Sequence, residues 1–405
     1  MAGPGCPDAQ GAQLVPGTIR SSQTRSDPRW FRSFVAKITW NAVAHEGGVL
    51  IVSQRTLNRT LLDRQFLLSR SSRAPLDVVR HLVAVQGQEP NWPYVGLWTR
   101  IDGFRHEHLD MLIHDRSVVR STVIRRTVHL VCPHDFAWLR PAVEPIVSVA
   151  LRHAYYAQEI EGLNLGKLAQ IGREVLSGRS LTRRELGRLL GERFPGRHAG
   201  RLADAVEILE PLVHGPSAGV WGKWRNRSSI EVTLAEDWTG IPMASERRLE
   251  TMVLRYLAAF GPASVMDVQA WAGVTRLREV MEGLRPRLRV HRNEDGKELF
   301  DLPEATLADP DLPAPVRFLP AFDNSLLGHR DRTRVISEED RKRIAPAASG
   351  GVPTFLVDGF VRGTWALKDG TVLISPFRPL ADPGAVLEEA ERMLPFIEAH
   401  AAQIA

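Results

Sequence analysis

Residues 82–98, LVAVQGQEPNWPYVGLW, set the reading of this chain. An apolar run, LDVVRHLVAV, ends in Gln86-Gly87-Gln88-Glu89-Pro90. Pro90 and Pro93 cannot continue a helix, and each disfavours the helical region for the residue before it. The two glutamines therefore fall at a helix end or just past it. In an extended segment, residues two apart point the same way. There the amides of Gln86 and Gln88 could converge on one small target, offering an acceptor and two donors each without a charge. Taken alone, a Gln-x-Gln triplet is also what ordinary loop polarity looks like.

Working outward, SQRTLNRTLLDRQFLL (53–68) opens on Ser53, a good N-cap, and carries a helical apolar stripe. A second helix is expected from Pro75 to Val85, and HEHLDMLIHDRSVV (106–119) reads as a third. TVIRRTVHLV (122–131) is β-branched and alternating, a strand signal. Helices followed by a strand pair describe a winged helix.

The same order recurs twice. AQIGREVLSG, TRRELGRLLGERF and RLADAVEILEPLV precede a hairpin whose tip carries Lys223, Trp224, Arg225 and Arg227. Thr182 and Glu185 have the spacing of a capping box. ERRLETMVLRYLAAFG, SVMDVQAWAG and RLREVMEGLRPRL precede a hairpin turning at Asp295-Gly296. Beyond the Pro-rich ADPDLPAPVR, strand-like segments lead to a final helix over GAVLEEAERMLPFIEAHAAQI.

The expected fold is α+β and mainly helical: three tandem winged-helix units, then a small antiparallel β-sheet or barrel-like module. The units are expected at 51–162 (bearing the Gln-x-Gln motif), 163–243 and 244–308, with the β module at 309–405. Residues 1–50 are rich in Gly, Pro, Ser and Gln at their start and read as a disordered extension. A chain truncated to begin at Val49 is expected to keep full fold and activity; loss of either would refute that.

With 405 residues and 43% hydrophobic content, the chain can bury a large core. No run of 18 apolar residues occurs, and the N-terminus lacks a clear signal-peptide core. Only Cys6 and Cys132 are present, which excludes a disulfide framework and a four-cysteine zinc site. The cytoplasm is the expected compartment. Net charge is +5, and all but six of the 52 basic residues are arginine. Arginine forks suit phosphates and guanine edges, so the balance is compatible with nucleic acid without proving it.

Walker, Rossmann, HExxH and zinc-deaminase signatures are absent. His106-Glu107-His108 would splay its imidazoles on a helix, and Cys132 near His134 reads as strand-end packing. No metal is expected.

Four stretches, in order, carry a resemblance: SQRTLNRTLLDRQFLL (53–68), VVRSTVIRRTVHLVCPHDFAWLRP (118–141), FLPAFDNSLLGHRDRTRVI (318–336) and GTWALKDGTVLISPF (363–377). Together they resemble the bacterial AlkZ-like family, winged-helix proteins that include DNA glycosylases, from about Val52 to about residue 400. That family uses a Gln-aliphatic-Gln or Gln-aliphatic-Asp motif in its first unit. Gln86 and Gln88 occupy the two polar positions; the chain departs at the middle one, which is Gly87.

The resemblance implies a monofunctional glycosylase that removes alkylated purines, including bulky adducts and cross-links at N7, without a cofactor and by water attack. Such a base is cationic and already weakly held, so the enzyme mainly has to place a water and tolerate positive charge. Glu89 is the second choice for that role. No lysine lies between Lys37 and Lys167, which disfavours a Schiff base from the first unit.

Thr127 and His129 are expected to border the lesion cavity or touch its backbone, the alternative being a half-buried strand with satisfied polar groups. Arg125, Arg126, Arg183, Arg184, Lys223, Trp224, Arg225 and Arg227 are assigned to DNA contact, and Asp323, Arg330 and Arg332 to pairing between modules. The expected partner is lesion-containing double-stranded DNA, bound by a monomer. The alternative function is a non-catalytic winged-helix DNA-binding protein such as a transcriptional regulator.

Overall fold

A computed structural model describes residues 50–223, 226–344 and 351–404. Most of the N-terminal extension expected from the sequence, together with Trp224 and Arg225, lies outside these described residues.

Strand β1 (Ile51–Val52) leads into α1 (Gln54–Arg64), whose first turn is closed by Ser53 accepting the Thr56 N–H at 3.1 Å. Helix α2 (Pro75–Leu82) takes proline at its first position and stops at Val83. Then follow β2 (Val85–Gln86), α3 (Trp92–Trp98), α4 (His106–His114), β3 (Val119–Thr122), β4 (Val128–Val131) and α5 (Pro133–Ala142).

The single strand expected over 122–131 is instead a hairpin. Its tip turns at Arg125 and Arg126, both left-handed at φ 52° and 60°. The Arg125 guanidinium is bonded to the Trp271 carbonyl and to Asn324, so partners far along the chain override the alternating pattern.

The second helix–hairpin region has α6 (Leu165–Leu176), β5 (Leu181–Thr182), α7 (Arg183–Arg193), α8 (Ala199–Leu209), β6 (Leu212–His214) and β7 (Glu231–Leu234). The Thr182–Glu185 capping box forms: Glu185 accepts the Thr182 N–H at 2.8 Å, and Thr182 accepts that of Glu185 at 3.2 Å. The third region has α9 (Leu249–Phe260), α10 (Val265–Ala272), α11 (Arg278–Leu284), β8 (Arg289–Asn293) and β9 (Glu298–Asp301).

The hairpins do not stand apart. β3/β4 and β6/β7 join in one six-stranded sheet, ordered β2-β4-β3-β6-β7-β5, through the pair Arg120 and His214. β1 adds in parallel to β8, so the strand before the first helix completes the third hairpin's sheet. A large apolar cluster runs beneath all three regions, including Trp138, Tyr256, Phe260 and Trp271, while α2, α3 and α4 enclose a second one with Leu130 and Cys132.

The C-terminal sheet contains β10 (Arg317–Leu319), β11 (Thr354–Val357), β12 (Phe360–Lys368), β13 (Thr371–Pro376) and β14 (Ala401–Ile404) in that order. Helix α12 (Pro383–Met393) packs on it through Val386, Ala390 and Met393. The expected final helix thus ends early, because Pro395 cannot continue it, and residues 401–404 return as a strand parallel to β13. The ion pair of Arg100 with Asp323, at 2.7 and 2.9 Å and fully buried, ties this part of the chain to the first region. Among the described residues, no helix is long and apolar enough to cross a membrane.

Candidate active site

Helix α2 ends in a tight turn on Val83, whose φ of 68° and ψ of −53° close a hydrogen bond from the Ala84 N–H to the Leu82 carbonyl at 2.8 Å. This γ-turn is a rare, strained conformation, more so for a β-branched residue. It swings the chain out of the helix and directly into β2. There Gln86 lies opposite His129 of β4, and the ladder continues one residue further through the Gly87 N–H and the Val128 carbonyl at 2.8 Å.

The two glutamine amides are held by backbone donors. Gln86 is buried, and its side-chain oxygen accepts the Gln88 N–H at 2.6 Å. Gln88 is exposed, and its oxygen accepts the Val128 N–H at 3.1 Å. Because an N–H can only donate, each amide must present its oxygen inward. Each oxygen keeps a second lone pair, and each NH2 group keeps its donors. Glu89, the neighbouring carboxylate, is partly buried.

Gly87 needs no special conformation; it does not adopt a positive φ. A Cβ there would meet Pro93 at 3.5 Å and Leu130 at 3.6 Å, which is ordinary contact.

The β3/β4 tip supports the motif from the side. Asn324 donates to the Ala84 carbonyl at 2.8 Å and accepts from Arg125 at 2.7 Å, bridging the strand entry and the hairpin tip. Gly273, at φ 78°, lets α10 end against that tip: a Cβ would meet the Arg125 backbone at 3.2 Å. Arg126 is exposed and bonds His153 at 2.7 Å. Thr127 is half-buried, its hydroxyl on the Ile124 carbonyl at 3.2 Å.

His129 is wholly buried. Its Nδ1–H donates to the Thr127 carbonyl at 2.9 Å, leaving Nε2 without a partner among the described residues. Burial, reinforced by Arg125, pulls its pKa down to about 3, so the ring is neutral.

Gln86 and Gln88, on and just beyond β2, are therefore brought against the β3/β4 hairpin that carries Arg125, Arg126, Thr127 and His129. Arg125 and Arg183, expected at the DNA, turn inward. Burial lowers the Arg125 pKa to about 10, and Arg183 is a buried fork on Glu207, at 2.6 Å on both oxygens. His129, likewise, has no surface with which to touch a DNA backbone. Arg227 remains exposed but pairs with Asp204 at 2.8 Å. Arg184 and Lys223 face solvent. The loop bearing Lys223 is latched to the motif segment, because the Gly222 N–H donates to Asn91 at 2.8 Å.

His106 stacks on Trp221, with centroids 4.3 Å apart, whereas the His108 Nδ1 accepts the Arg105 N–H. The two imidazoles thus serve different neighbours. Burial pushes the Cys132 thiol up to about 12, far from a nucleophile's range.

Sequence reading overlooked Arg120, Asn324, Glu207 and His214. The signal for Asn324 was its place beside Asp323 in the FDNS segment. The signal for Arg120 was a charge directly after the apolar pair Val118-Val119 at the start of a strand.

The family model for AlkZ-like DNA glycosylases matches residues 79–396, from α2 to just beyond α12, and so includes the whole glutamine hairpin. The chain belongs to that family. A curated relative, the interstrand DNA cross-link repair glycosylase of Streptomyces sahachiroi, is 26% identical over 347 residues, which cover 78% of this chain and 88% of the relative. The solved structure of Streptomyces sahachiroi DNA glycosylase AlkZ superposes with a TM-score of 0.72 at 22% identity, covering 88% of this chain and 100% of the other. Its fold is that of an AlkZ-like DNA glycosylase.

Proposed function

We propose that this glycosylase removes N7-alkylated purines from duplex DNA by water attack, leaves an abasic site, and does not itself cut the strand. Base-excision repair is the process it serves, and bulky adducts and interstrand cross-links fall within its substrate class. The observation that carries the reading is the pair of neutral amides at Gln86 and Gln88, each anchored by a backbone N–H, of Gln88 and of Val128 respectively, and each retaining a free oxygen lone pair.

Departure of a cationic base leaves a sugar with oxocarbenium character. An amide oxygen can then accept a hydrogen bond from the attacking water and orient it, while neutral amides do not trap the leaving base. Arg126, Arg184, Lys223 and Arg227 are the candidates for phosphate contact, together with Trp224 and Arg225, which follow Lys223 in the sequence. Thr127 borders the lesion.

The test is incubation with duplex DNA carrying a single N7-methylguanine. Released base and a strand that breaks only after alkali are expected. Breakage without alkali would indicate an amine nucleophile. No release, with tight binding to one preferred sequence, would indicate a regulator.

A further inference from the structure

A buried polar chain runs from the glutamine loop into the second helix–hairpin region. Arg120 of β3 is buried, and its guanidinium spans two consecutive carbonyls of the motif: Nε donates to Gly87 at 3.1 Å and Nη2 to Gln88 at 3.2 Å. Nη1 donates to Nδ1 of His214 on β6 at 2.6 Å. A guanidinium has no acceptor, so His214 must carry its proton on Nε2, and that proton goes to Glu207 at 2.8 Å. The Arg183 fork holds both oxygens of Glu207, and its Nη1 donates to the Arg227 carbonyl at 3.2 Å. The path thus begins on the hairpin loop that carries Arg227 and ends on the two carbonyls between and beside the glutamines.

We propose that Arg120 is a positioning residue for the glutamine motif, and that the second region, through His214, Glu207 and Arg183, holds it in place. The proposal rests on the catalytic reading of Gln86 and Gln88.

The physical need is specific to this chain. β2 is two residues long, and Gly87 has no side chain to anchor the segment. Rotation about the Gly87 backbone would swing the Gln88 amide off the Val128 N–H. Two carbonyls pinned by one planar fork prevent that rotation, and the fork is itself fixed because its third edge is occupied by His214. Burial keeps His214 neutral, with its pKa down to about 4, so the ring can accept on one side and donate on the other. A lysine at 120 could reach one partner but not span both carbonyls.

The test uses the full chain, DNA with one N7-methylguanine, single-turnover excision, DNA affinity, and thermal melting to establish that each variant is folded at the assay temperature. Arg120→Met and His214→Leu are expected to slow excision about 10- to 100-fold while DNA affinity stays within about two-fold, since small misplacements of reacting groups cost rates on this order. His214→Gln, whose amide can also accept from Arg120 and donate to Glu207, should recover most of the rate. A purely structural role would alter melting without this split between rate and affinity.

Wild-type excision by the folded Arg120→Met and His214→Leu proteins overturns the proposal. If those two do not fold, Arg120→Lys, which keeps the buried charge, decides: a wild-type rate overturns it, and a slowed rate with unchanged affinity supports it. Gln86→Ala and Gln88→Ala run alongside. If they excise normally, the catalytic reading itself fails; if they are slow while the Arg120 and His214 variants are not, only the positioning proposal fails.

Discussion

The side-chain oxygen of Gln86 accepts the backbone N–H of Gln88 at 2.6 Å, so the first glutamine of the motif shapes the backbone that presents the second. The second then reaches across to the Val128 N–H at 3.1 Å. The pair is thus a small folded unit rather than two loose polar side chains. Whatever it binds meets one buried amide and one exposed amide whose orientations are already determined.

That asymmetry gives the first prediction. Gln86→Ala and Gln88→Ala should each lower single-turnover excision by ~10²-fold, or about 3 kcal/mol, with DNA affinity nearly intact, because the amides act on the attacking water rather than on bound DNA. The double variant should cost less than the sum, since both groups serve one water. Only Gln86→Ala should also lower stability, by about 1 kcal/mol, because it alone removes a buried bond to the backbone. Excision at the wild-type rate by both single variants would sink the assignment.

Gly87 offers a change in the opposite direction. The backbone there is not left-handed, and the nearest atoms a Cβ would meet, in Pro93 and Leu130, lie at ordinary contact distances. Gly87→Ala should therefore stabilise the protein by about 0.4–1 kcal/mol through the unfolded chain, with excision kept. A lowered melting temperature in calorimetry would show that the site needs the glycine after all.

For DNA binding, the exposed cations are the test. Lys223→Ala and Arg184→Ala should weaken binding uniformly across sequences, each lowering the slope of log affinity against log salt by about 1. Lesion preference should not change. Fluorescence anisotropy over a salt series reads this directly; a changed preference at constant affinity would contradict phosphate contact.

The parts of the fold legible in the sequence were those set by neighbours along the chain. Ser53 and Thr182 both cap the helices they precede, and Asp295-Gly296 does turn a hairpin. Pairing between distant segments was not legible. Nothing local announces that Ile51 pairs with Arg292, or that Arg120 meets His214, which lies 94 residues away. The site followed the same division. The glutamines were visible as residue types at a helix end. The direction of their amides was not, because the acceptor each N–H requires is set by the β2–β4 ladder. Arg125 and Arg183 look like surface cations in the sequence; only the positions of Asn324 and Glu207 turn them inward.

The neutral buried histidines predict the acid response. Burial first of all depresses His81 and His214 to about 4 and His129 to about 3, from an ordinary value near 6.5. In the unfolded chain these rings take up protons below about pH 6.5, while in the folded chain they do so only near pH 3–4. The unfolded state therefore binds more protons across that interval. Stability is fully present above pH 6.5 and falls as the pH drops towards 4. At pH 5 each ring has lost roughly 2 kcal/mol, about 1.4 kcal/mol for each pH unit below its unfolded value. Glu207 adds to the decline at lower pH: burial alone would raise it, but Arg183 and His214 hold it well below the usual carboxylate range. Urea denaturation at pH 7.5 and pH 5 should show a markedly lower midpoint at pH 5, with the difference reduced by about 2 kcal/mol in His214→Gln, which no longer carries a titrating ring. Equal midpoints at the two pH values would mean that these histidines are not buried in their neutral form.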